Sequence, residues 1–304
     1  MCYNCLTMQK SGFVAISGQP NVGKSTMLNG FLKEKLAIVS RKPETTRDNI
    51  RGILTEKNCQ IIFVDTPGIH KPRNLLGKIM LTRAQSTLME SDIILMVTEK
   101  RLAFNNDDMI ILDRLPDPKE NKTVFFMINK TDRVKEKKFL LPIMKKARQL
   151  YPFKEIMPIC ALNETDLDKL LGLIRSYLPE GPLLYPKEQL TDKSEEFIVQ
   201  ELIREKILSR THEEVPHAVA VIVDEMKENE KGVLHIYATI YVERDSQKSI
   251  IIGKNGSMIK KIGELARADI EQFLSRHIRL ETWVKVYEKW KKDPQALREM
   301  GYSD

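Results

Sequence analysis

The sequence predicts an α/β fold in two parts: a mostly parallel sheet with covering helices over residues 1–178, and a smaller α+β domain over residues 187–304, joined by a linker at 179–186. Three observations carry this expectation. Short apolar, β-branched runs at residues 13–17, 61–64, 93–98, 123–128 and 156–159 alternate with longer amphipathic stretches. Residues 178–186 hold three prolines and a glycine, a composition that breaks any helix. Beyond that break the periodicity changes.

Each early apolar run is too short for a buried helix and has the continuous hydrophobicity of a strand covered on both faces. Alternation of such strands with helices implies a parallel sheet. After the linker, residues 195–212 place Ile198, Val199, Leu202, Ile203 and Ile207 on one helical face. Residues 217–226 and 234–242 read as strands, the second alternating Leu234, Ile236, Ala238, Ile240 and Val242 with His235, Tyr237, Thr239 and Tyr241. Residues 229–232 supply the turn between them. A helical turn at 249–252, a helix at 258–274 and a strand at 278–287 complete the order α-β-β-α-α-β. No internal repeat or low-complexity tract interrupts it.

Composition narrows the function classes. Of 304 residues, 42% are hydrophobic and 30% charged, which excludes a disordered chain and supports two cores. The longest apolar stretches, such as residues 218–223, fall short of the roughly 18 residues needed to cross a bilayer. Residues 1–10 lack the basic and apolar regions of a secretory signal, so a cytoplasmic protein is expected, and a monomer is expected alongside. Four cysteines are too few for a disulfide framework. Cys2 and Cys5 form a C-x-x-C without a second ligand pair, so structural zinc is not expected, and a start at Met8 would remove both. The net charge is +7, which favours a polyanionic partner. It is unevenly spread: residues 187–243 hold 7 basic and 13 acidic side chains, residues 244–292 hold 12 and 6.

Gly18-Gln19-Pro20-Asn21-Val22-Gly23-Lys24-Ser25 fits G-x-x-x-x-G-K-[ST], between an expected strand and an expected helix beginning at Lys24. Glycines let the backbone curl so that successive N–H groups point at phosphate oxygens, and the helix N-terminus adds its positive end. Lys24 would place a charge on the β and γ phosphates, and the Ser25 hydroxyl would face Mg²⁺. Asn129-Lys130-Thr131-Asp132 closes the strand at 123–128. The Asp132 carboxylate can accept from both N1–H and the exocyclic amine of guanine, whereas adenine would leave it unpaired. Asn129 and Lys130 would fix the loop and cover the base plane. Asp65-Thr66-Pro67-Gly68 lies between the two motifs.

With Gln19-Pro20-Asn21-Val22 and Thr45-Thr46-Arg47, these residues resemble the translation-factor-related GTPase class. Asp65 through His70, residues 201–207, Val215-Pro216, residues 251–256 and Gly301-Tyr302 extend the resemblance, over nearly the whole chain, to the Era family of ribosome-assembly GTPases. That resemblance implies a P-loop GTPase domain followed by a type II KH domain, with GTP or GDP and Mg²⁺ as cofactors. It implies that residues 18–25 with Thr26 bind phosphates, that Thr45 or Thr46 meets Mg²⁺ and the γ phosphate beside Ser25 and Asp65, and that Asp65 through Ile69 form the second switch. Asn21, Lys24, Thr45, Thr46, Asp65 and Gly68 are then the residues expected around the reacting phosphate. Asn21 matches an asparagine that holds a monovalent cation in relatives, which makes K⁺ activation an expectation. Ile159-Cys160-Ala161-Leu162 matches the fifth base-contacting motif, with Cys160 where serine is usual, leaving the Ala161 backbone as the expected guanine contact. Ile69 stands where Ras-like enzymes carry a water-orienting glutamine, so slow hydrolysis, on the order of 10⁻⁴ to 10⁻² s⁻¹, is expected. His70 is expected to be structural rather than a base.

Gly253-Lys254-Asn255-Gly256 sits in the α-β-β-α-α-β context of a KH fold, in which a glycine loop approaches the sugar-phosphate backbone and apolar side chains line a groove for about four unpaired bases. Lys254, Lys260 and Lys261 would supply charge, and Ile251, Ile252 and Ile259 would line the groove. The resemblance supplies the partner, single-stranded sequence near the 3′ end of small-subunit ribosomal RNA and the assembling 30S particle, and a weak peripheral association with the membrane. A nucleotide acting only as a structural ligand of an RNA-binding module, another translation-related GTPase and an ATP-dependent kinase stand as the alternatives.

Overall fold

The structure is a computed structural model that describes residues 9–40, 42, 44–101, 103–120 and 122–302. Cys2, Cys5 and Met8 lie outside the described residues. The chain divides into two units: Met1–Leu36, Thr46–Lys71 and Met80–Asp192 form the first, and Ala37–Thr45, Pro72–Ile79 and Lys193–Asp304 the second.

In the first unit the elements run β1 (Lys10–Gly18), α1 (Lys24–Leu32), β2 (Ile50–Glu56), β3 (Cys59–Asp65), α2 (Leu75–Glu90), β4 (Ile93–Glu99), α3 (Asn106–Leu112), β5 (Thr123–Asn129), α4 (Leu141–Leu150), β6 (Glu155–Pro158) and α5 (Glu164–Tyr177). The first five residues of α2, Leu75–Ile79, count with the second unit. The six strands lie in the order β2-β3-β1-β4-β5-β6, and every neighbouring pair is parallel except β2 with β3. Four of the five expected apolar runs are the central strands, where Val14, Ala15, Ile62, Phe63, Ile94, Leu95, Phe125 and Phe126 are all fully buried, and the fifth is the edge strand β6, which is only half-buried. Helices cover them, with Ala84 and Leu88 of α2, Ile111 of α3 and Ala147 of α4 in one core with Ala15, Ile94 and Phe126.

The edge strand β2 corrects the sequence expectation, which had no strand there. Its seven residues include Arg51, Gly52 and Glu56, so the run lacks the continuous hydrophobicity of a covered strand. It forms because it pairs antiparallel along all of β3, from Ile50 opposite Asp65 to Glu56 opposite Cys59. The sheet reverses direction of winding between β1 and β4, and at such a point ligand sites form outside the carboxyl ends of the strands. The loops after β1, β3, β5 and β6 all leave from that edge.

The second unit contains α6 (Glu195–Arg210), α7 (Val215–Ala218), β7 (Ala220–Glu228), β8 (Leu234–Val242), α8 (Asp245–Ile252), α9 (Ser257–Leu274), β9 (Ile278–Val286) and α10 (Pro294–Glu299). Its sheet is β7-β8-β9, with β7 antiparallel and β9 parallel to β8. Helices α6 and α9 pack on one another and on the sheet. Ile198, Leu202 and Ile203 of α6 and Ile262, Ala266 and Ile270 of α9 are buried, as are Ile236, Ala238 and Ile240 of β8. Two boundaries shift from expectation. The strand expected from residue 217 starts at Ala220, because Val215–Ala218 makes a short helix with Pro216 in its first turn, where the missing N–H costs nothing. The single turn expected at 249–252 is a two-turn helix from Asp245.

Residues 37–45 are built into this second unit. Ala37 and Ile38 are buried, and the Val39 N–H donates to Glu205 Oε1 at 3.0 Å. The Thr45 carbonyl accepts from Arg204, itself held by Glu201 through bonds of 2.7 and 2.5 Å. Among the described residues no helix is long and apolar enough to cross a membrane.

Candidate functional site

The loop after β1 is shaped around Lys24. Gly23 has φ 100° and precedes α1 in the left-handed region, and a Cβ there would lie 2.3 Å from Asn129 Nδ2. Only glycine accepts both conditions. Asn21, at φ 65°, makes the loop's other left-handed turn. The Lys24 ammonium is buried and donates to the carbonyls of Gly18 at 3.1 Å and Gln19 at 2.9 Å. Burial lowers its pKa to about 8, against the pull of Asp65 in the other direction. The first turn of α1 brings Ser25 and Thr26 next in line.

Three oxygens converge beside Lys24. Ser25 Oγ donates to Asp65 Oδ2 at 2.6 Å, lies 3.1 Å from Thr46 Oγ1, and Thr46 Oγ1 is 3.4 Å from Asp65 Oδ2. Asp65 is fully buried, which raises its pKa to about 6, while Lys24 and the two hydroxyls oppose the rise. Its Oδ1 has no hydrogen-bond partner among the described residues. A hard divalent cation suits this set: an all-oxygen donor cluster with an unsatisfied carboxylate atom. Thr45 does not join it, since its hydroxyl donates to the Lys42 carbonyl at 2.6 Å.

Past Asp65 the chain runs against the phosphate loop. Thr66 Oγ1 donates to the Ile16 carbonyl at 3.0 Å, and after Pro67 and Gly68 the Ile69 N–H donates to the Gly18 carbonyl at 3.1 Å. The Ile69 side chain is buried in the core with Ala15, Ala84 and Leu88, and so cannot orient water. His70 Nδ1 lies 3.0 Å from the Gly68 carbonyl, a local loop contact consistent with a structural role.

The loops after β5 and β6 meet through Asn129. Its Nδ2 donates to the Val22 carbonyl at 2.8 Å, and its Oδ1 accepts from the Ala161 N–H at 2.9 Å. Lys130, at φ 59°, reaches the Asn21 carbonyl at 2.5 Å and pairs with Glu99 at 2.6 Å. Thr131 opens a short turn through Arg133 that exposes the Asp132 carboxylate. Cys160 Sγ donates to Asp132 Oδ1 at 3.3 Å, so the thiol takes the donor's place that serine usually fills. Burial pushes the Cys160 pKa up, which keeps the proton on sulfur. Leu162, named with Ala161 from the motif, is 77% exposed. The sequence reading missed two supports here. Glu99 ends β4, and Asp166 Oδ2 accepts from the Cys160 N–H at 2.9 Å while its own N–H caps on Asn163. The Asn163-x-x-Asp166 spacing, a helix-start pattern, was the available signal for the second.

In the second unit, Gly253, Asn255 and Gly256 all have positive φ, at 72°, 52° and 77°, so the loop between α8 and α9 turns its backbone sharply outward. A Cβ at Gly253 would lie 2.7 Å from Met258 Cβ. Lys254, Lys260 and Lys261 are exposed around it, and Lys261 pairs with Glu264 at 3.3 Å. Ile252 and Ile259 are half-buried beside the loop. Ile251 departs from expectation: it is fully buried, on the face of α8 that packs against α9 and the sheet, while Ile250 is 46% exposed.

A strand-to-helix phosphate loop, an oxygen cluster fit for a divalent cation and a guanine-type carboxylate at one sheet edge define a P-loop GTPase, here followed by a KH domain. Family models agree: residues 13–130 match the 50S ribosome-binding GTPase model and residues 214–291 the KH domain model. The chain is 50% identical to GTPase Era of Clostridium tetani over 296 residues, covering 97% of this chain and 99% of that protein. It is 49% identical to GTPase Era of Syntrophus aciditrophicus over 302 residues, covering 99% and 97%. A crystal structure of Era in complex with MgGDPNP and nucleotides 1506–1542 of 16S ribosomal RNA superposes with TM-score 0.93 at 40% identity, covering 97% of this chain and 100% of that one. An Aquifex aeolicus Era variant bound to GDP and AlF4⁻ superposes equally well. The chain belongs to the Era family of GTPases.

Proposed function

We propose that this chain is a slow GTP-hydrolysing switch that binds single-stranded sequence at the 3′ end of 16S ribosomal RNA and assists assembly of the 30S particle. The observation that carries the nucleotide half is Asn129, which bonds the phosphate loop with one side-chain atom and the loop after β6 with the other. A ligand with a purine at one end and phosphates at the other would span the two. Asp132 reads guanine, Gly18 through Thr26 hold the phosphates, and Ser25 and Thr46, with Asp65 behind them, hold Mg²⁺. Bound there, Mg²⁺ supplies charge neutralisation at the β and γ phosphate oxygens. Thr46 rather than Thr45 is the switch residue of this reading, because its hydroxyl alone faces Ser25 and Asp65. With Ile69 apolar and buried, the position where Ras-like enzymes carry a water-orienting glutamine cannot polarise water, and positioning and charge carry the reaction. Asn21 is the place for a potassium ion, and turnover equal in KCl and NaCl refutes that part.

The RNA half rests on the family relation and on the exposed loop from Gly253 to Gly256 with its lysines. An Era structure with bound 16S ribosomal RNA supports the choice of partner. Residues 1–178 and 187–304 act as the two functional domains, and residues 179–186 as their linker. Residues 37–45 precede Thr46 and are held by Glu205 and Arg204 of the second unit, which supports a coupling between nucleotide state and RNA affinity. GTP-bound protein therefore binds RNA more tightly than GDP-bound protein, and RNA tightens GTP by the same factor. The protein works in the cytoplasm as a monomer, with peripheral contact at the inner membrane face through its basic surface.

The test is crosslinking and sequencing of RNA bound in cells by wild type, Gly253→Asp and Lys24→Ala. A sharp peak at the 3′ end of small-subunit RNA that both variants lose supports the reading. Diffuse reads unaffected by Gly253→Asp overturn the RNA assignment.

A further inference from the structure

The side chain of the second residue of the phosphate loop turns into the first unit. Gln19 is 3% exposed, and its side chain runs into the first unit toward the start of α3. Its Nε2 donates to Asp108 Oδ1 at 2.6 Å and to Asn105 Oδ1 at 2.8 Å, and Asn105 Nδ2 donates back to Gln19 Oε1 at 3.1 Å. An ionised carboxylate only accepts, so its partner atom on Gln19 must be nitrogen, which sets the amide's orientation.

Asp108 is fully buried and uses its second oxygen differently. Oδ2 accepts from Thr98 Oγ1 at 2.8 Å and from the Phe104 N–H at 2.9 Å. Phe104 holds φ 62°, an uncommon conformation for an aromatic residue, and stacks on Phe126 with 5.5 Å between ring centroids. One oxygen thus secures the turn into α3, where Asn105 caps the helix by accepting from the Asp108 N–H. The helix start has no need of the other. That oxygen is committed to the phosphate loop, 89 residues away in sequence.

The main chain of that loop carries the consequence. The two carbonyls that accept from Lys24 Nζ belong to Gly18 and Gln19, the segment that the Gln19 side chain anchors. A buried carboxylate close to an anion site is electrostatically adverse, so its contribution here is geometric. It holds preorganised the backbone that aims Lys24, and preorganised groups need no rearrangement when the ligand arrives.

We propose that Asp108 is a positioning residue for the nucleotide: through Gln19 it fixes the Gly18–Gln19 backbone that orients Lys24, and so sets the lifetime of bound guanine nucleotide. The inference rests on the reading of this loop as the GTP and GDP site. Dissociation of a fluorescent GDP analogue tests it in the full chain. Wild-type protein that binds no analogue refutes the nucleotide reading itself. Given binding, Asp108→Asn sets an amide N–H either against Gln19 Nε2 or against the Phe104 N–H, and Gln19→Ala removes the anchor together with its two bonds to the N-cap Asn105. Asp108→Asn is expected to speed dissociation about tenfold, the rate equivalent of one lost hydrogen bond, and Gln19→Ala, which loses three, at least as much. Combining Gln19→Glu with Asp108→Asn restores the bond between the two with donor and acceptor exchanged, at the loss of the bond to Asn105 Oδ1, and is expected to slow dissociation relative to Asp108→Asn. A role of Asp108 confined to its Oδ2 bonds at the turn into α3 would not respond to the change at Gln19. Dissociation from Gln19→Ala within twofold of wild type, or a double variant as fast as Asp108→Asn, overturns the proposal.

Discussion

Asn129 Nδ2 lies 2.8 Å from the carbonyl oxygen of Val22, a bond across 107 residues of sequence that ties the guanine-type loop to the phosphate loop. The same amide accepts from the Ala161 N–H, and Asn129 is 2% exposed. Asn129→Ala strands a buried carbonyl and a buried N–H, each costing about 1–3 kcal/mol. Chemical denaturation of nucleotide-free protein should show that loss, and calorimetry should show GDP affinity falling with it. A stability change below 0.5 kcal/mol would mean that water replaces both bonds without penalty.

Base selection should follow Asp132 and its thiol partner. Asp132→Asn is expected to lose GDP and gain xanthosine diphosphate, because the amide presents a donor where guanine offers one and xanthine an acceptor. Cys160→Ser puts a stronger donor 3.3 Å or closer to the carboxylate and should tighten GDP two- to fivefold, by about 0.4–1 kcal/mol. Unchanged nucleotide preference in Asp132→Asn, read by competition binding, would remove the guanine assignment.

Nucleotide affinity should depend on pH through Lys24. Burial lowers its pKa to about 8 in the nucleotide-free protein, from an ordinary 10.5. Phosphates favour the ammonium, so binding takes up a proton at higher pH. Affinity for GDP is therefore flat below about pH 8 and falls by up to tenfold per unit above it. The folded nucleotide-free state has the opposite preference: a depressed lysine pKa makes this group's contribution to stability present above pH 10.5 and lost as pH falls through about 8. Calorimetry between pH 7 and 9 in two buffers of different ionisation enthalpy reads the proton uptake; none at pH 9 contradicts the shift.

The two glycines of the RNA loop should differ. Both have left-handed φ, but a Cβ at Gly253 meets Met258 whereas one at Gly256 meets nothing within 4 Å. Gly256→Ala should cost about 1 kcal/mol, the conformational term alone, and Gly253→Ala about 2–4 kcal/mol with steric displacement added. Thermal unfolding and RNA affinity of the two variants check the order. Equal effects would show that α9 yields at Met258.

Elements whose cause is local were readable in the chain. The phosphate loop needs glycine at 23 and lysine at 24 in sequence, and the central strands need uninterrupted apolar runs, so β1, β3, β4 and β5 and the loops they feed were evident from neighbouring residues. The KH order followed from periodicity for the same reason. What escaped were partnerships between distant residues. Strand β2 exists because β3 offers it an edge, and its own Arg51, Gly52 and Glu56 say little. Which of the adjacent Thr45 and Thr46 turns its hydroxyl toward Ser25 has no mark in the sequence; in the structure it is Thr46, while Thr45 bonds the Lys42 carbonyl. Ile251 became core and Gln19 found Asp108 through packing. The sequence thus determined the motifs, the central strands and the main helices of the second unit and the chemistry of each loop, because backbone conformation and burial period are set within a few residues. Tertiary structure decided which side chains share a hydrogen bond, because a buried polar atom must pair with whatever the fold carries past it.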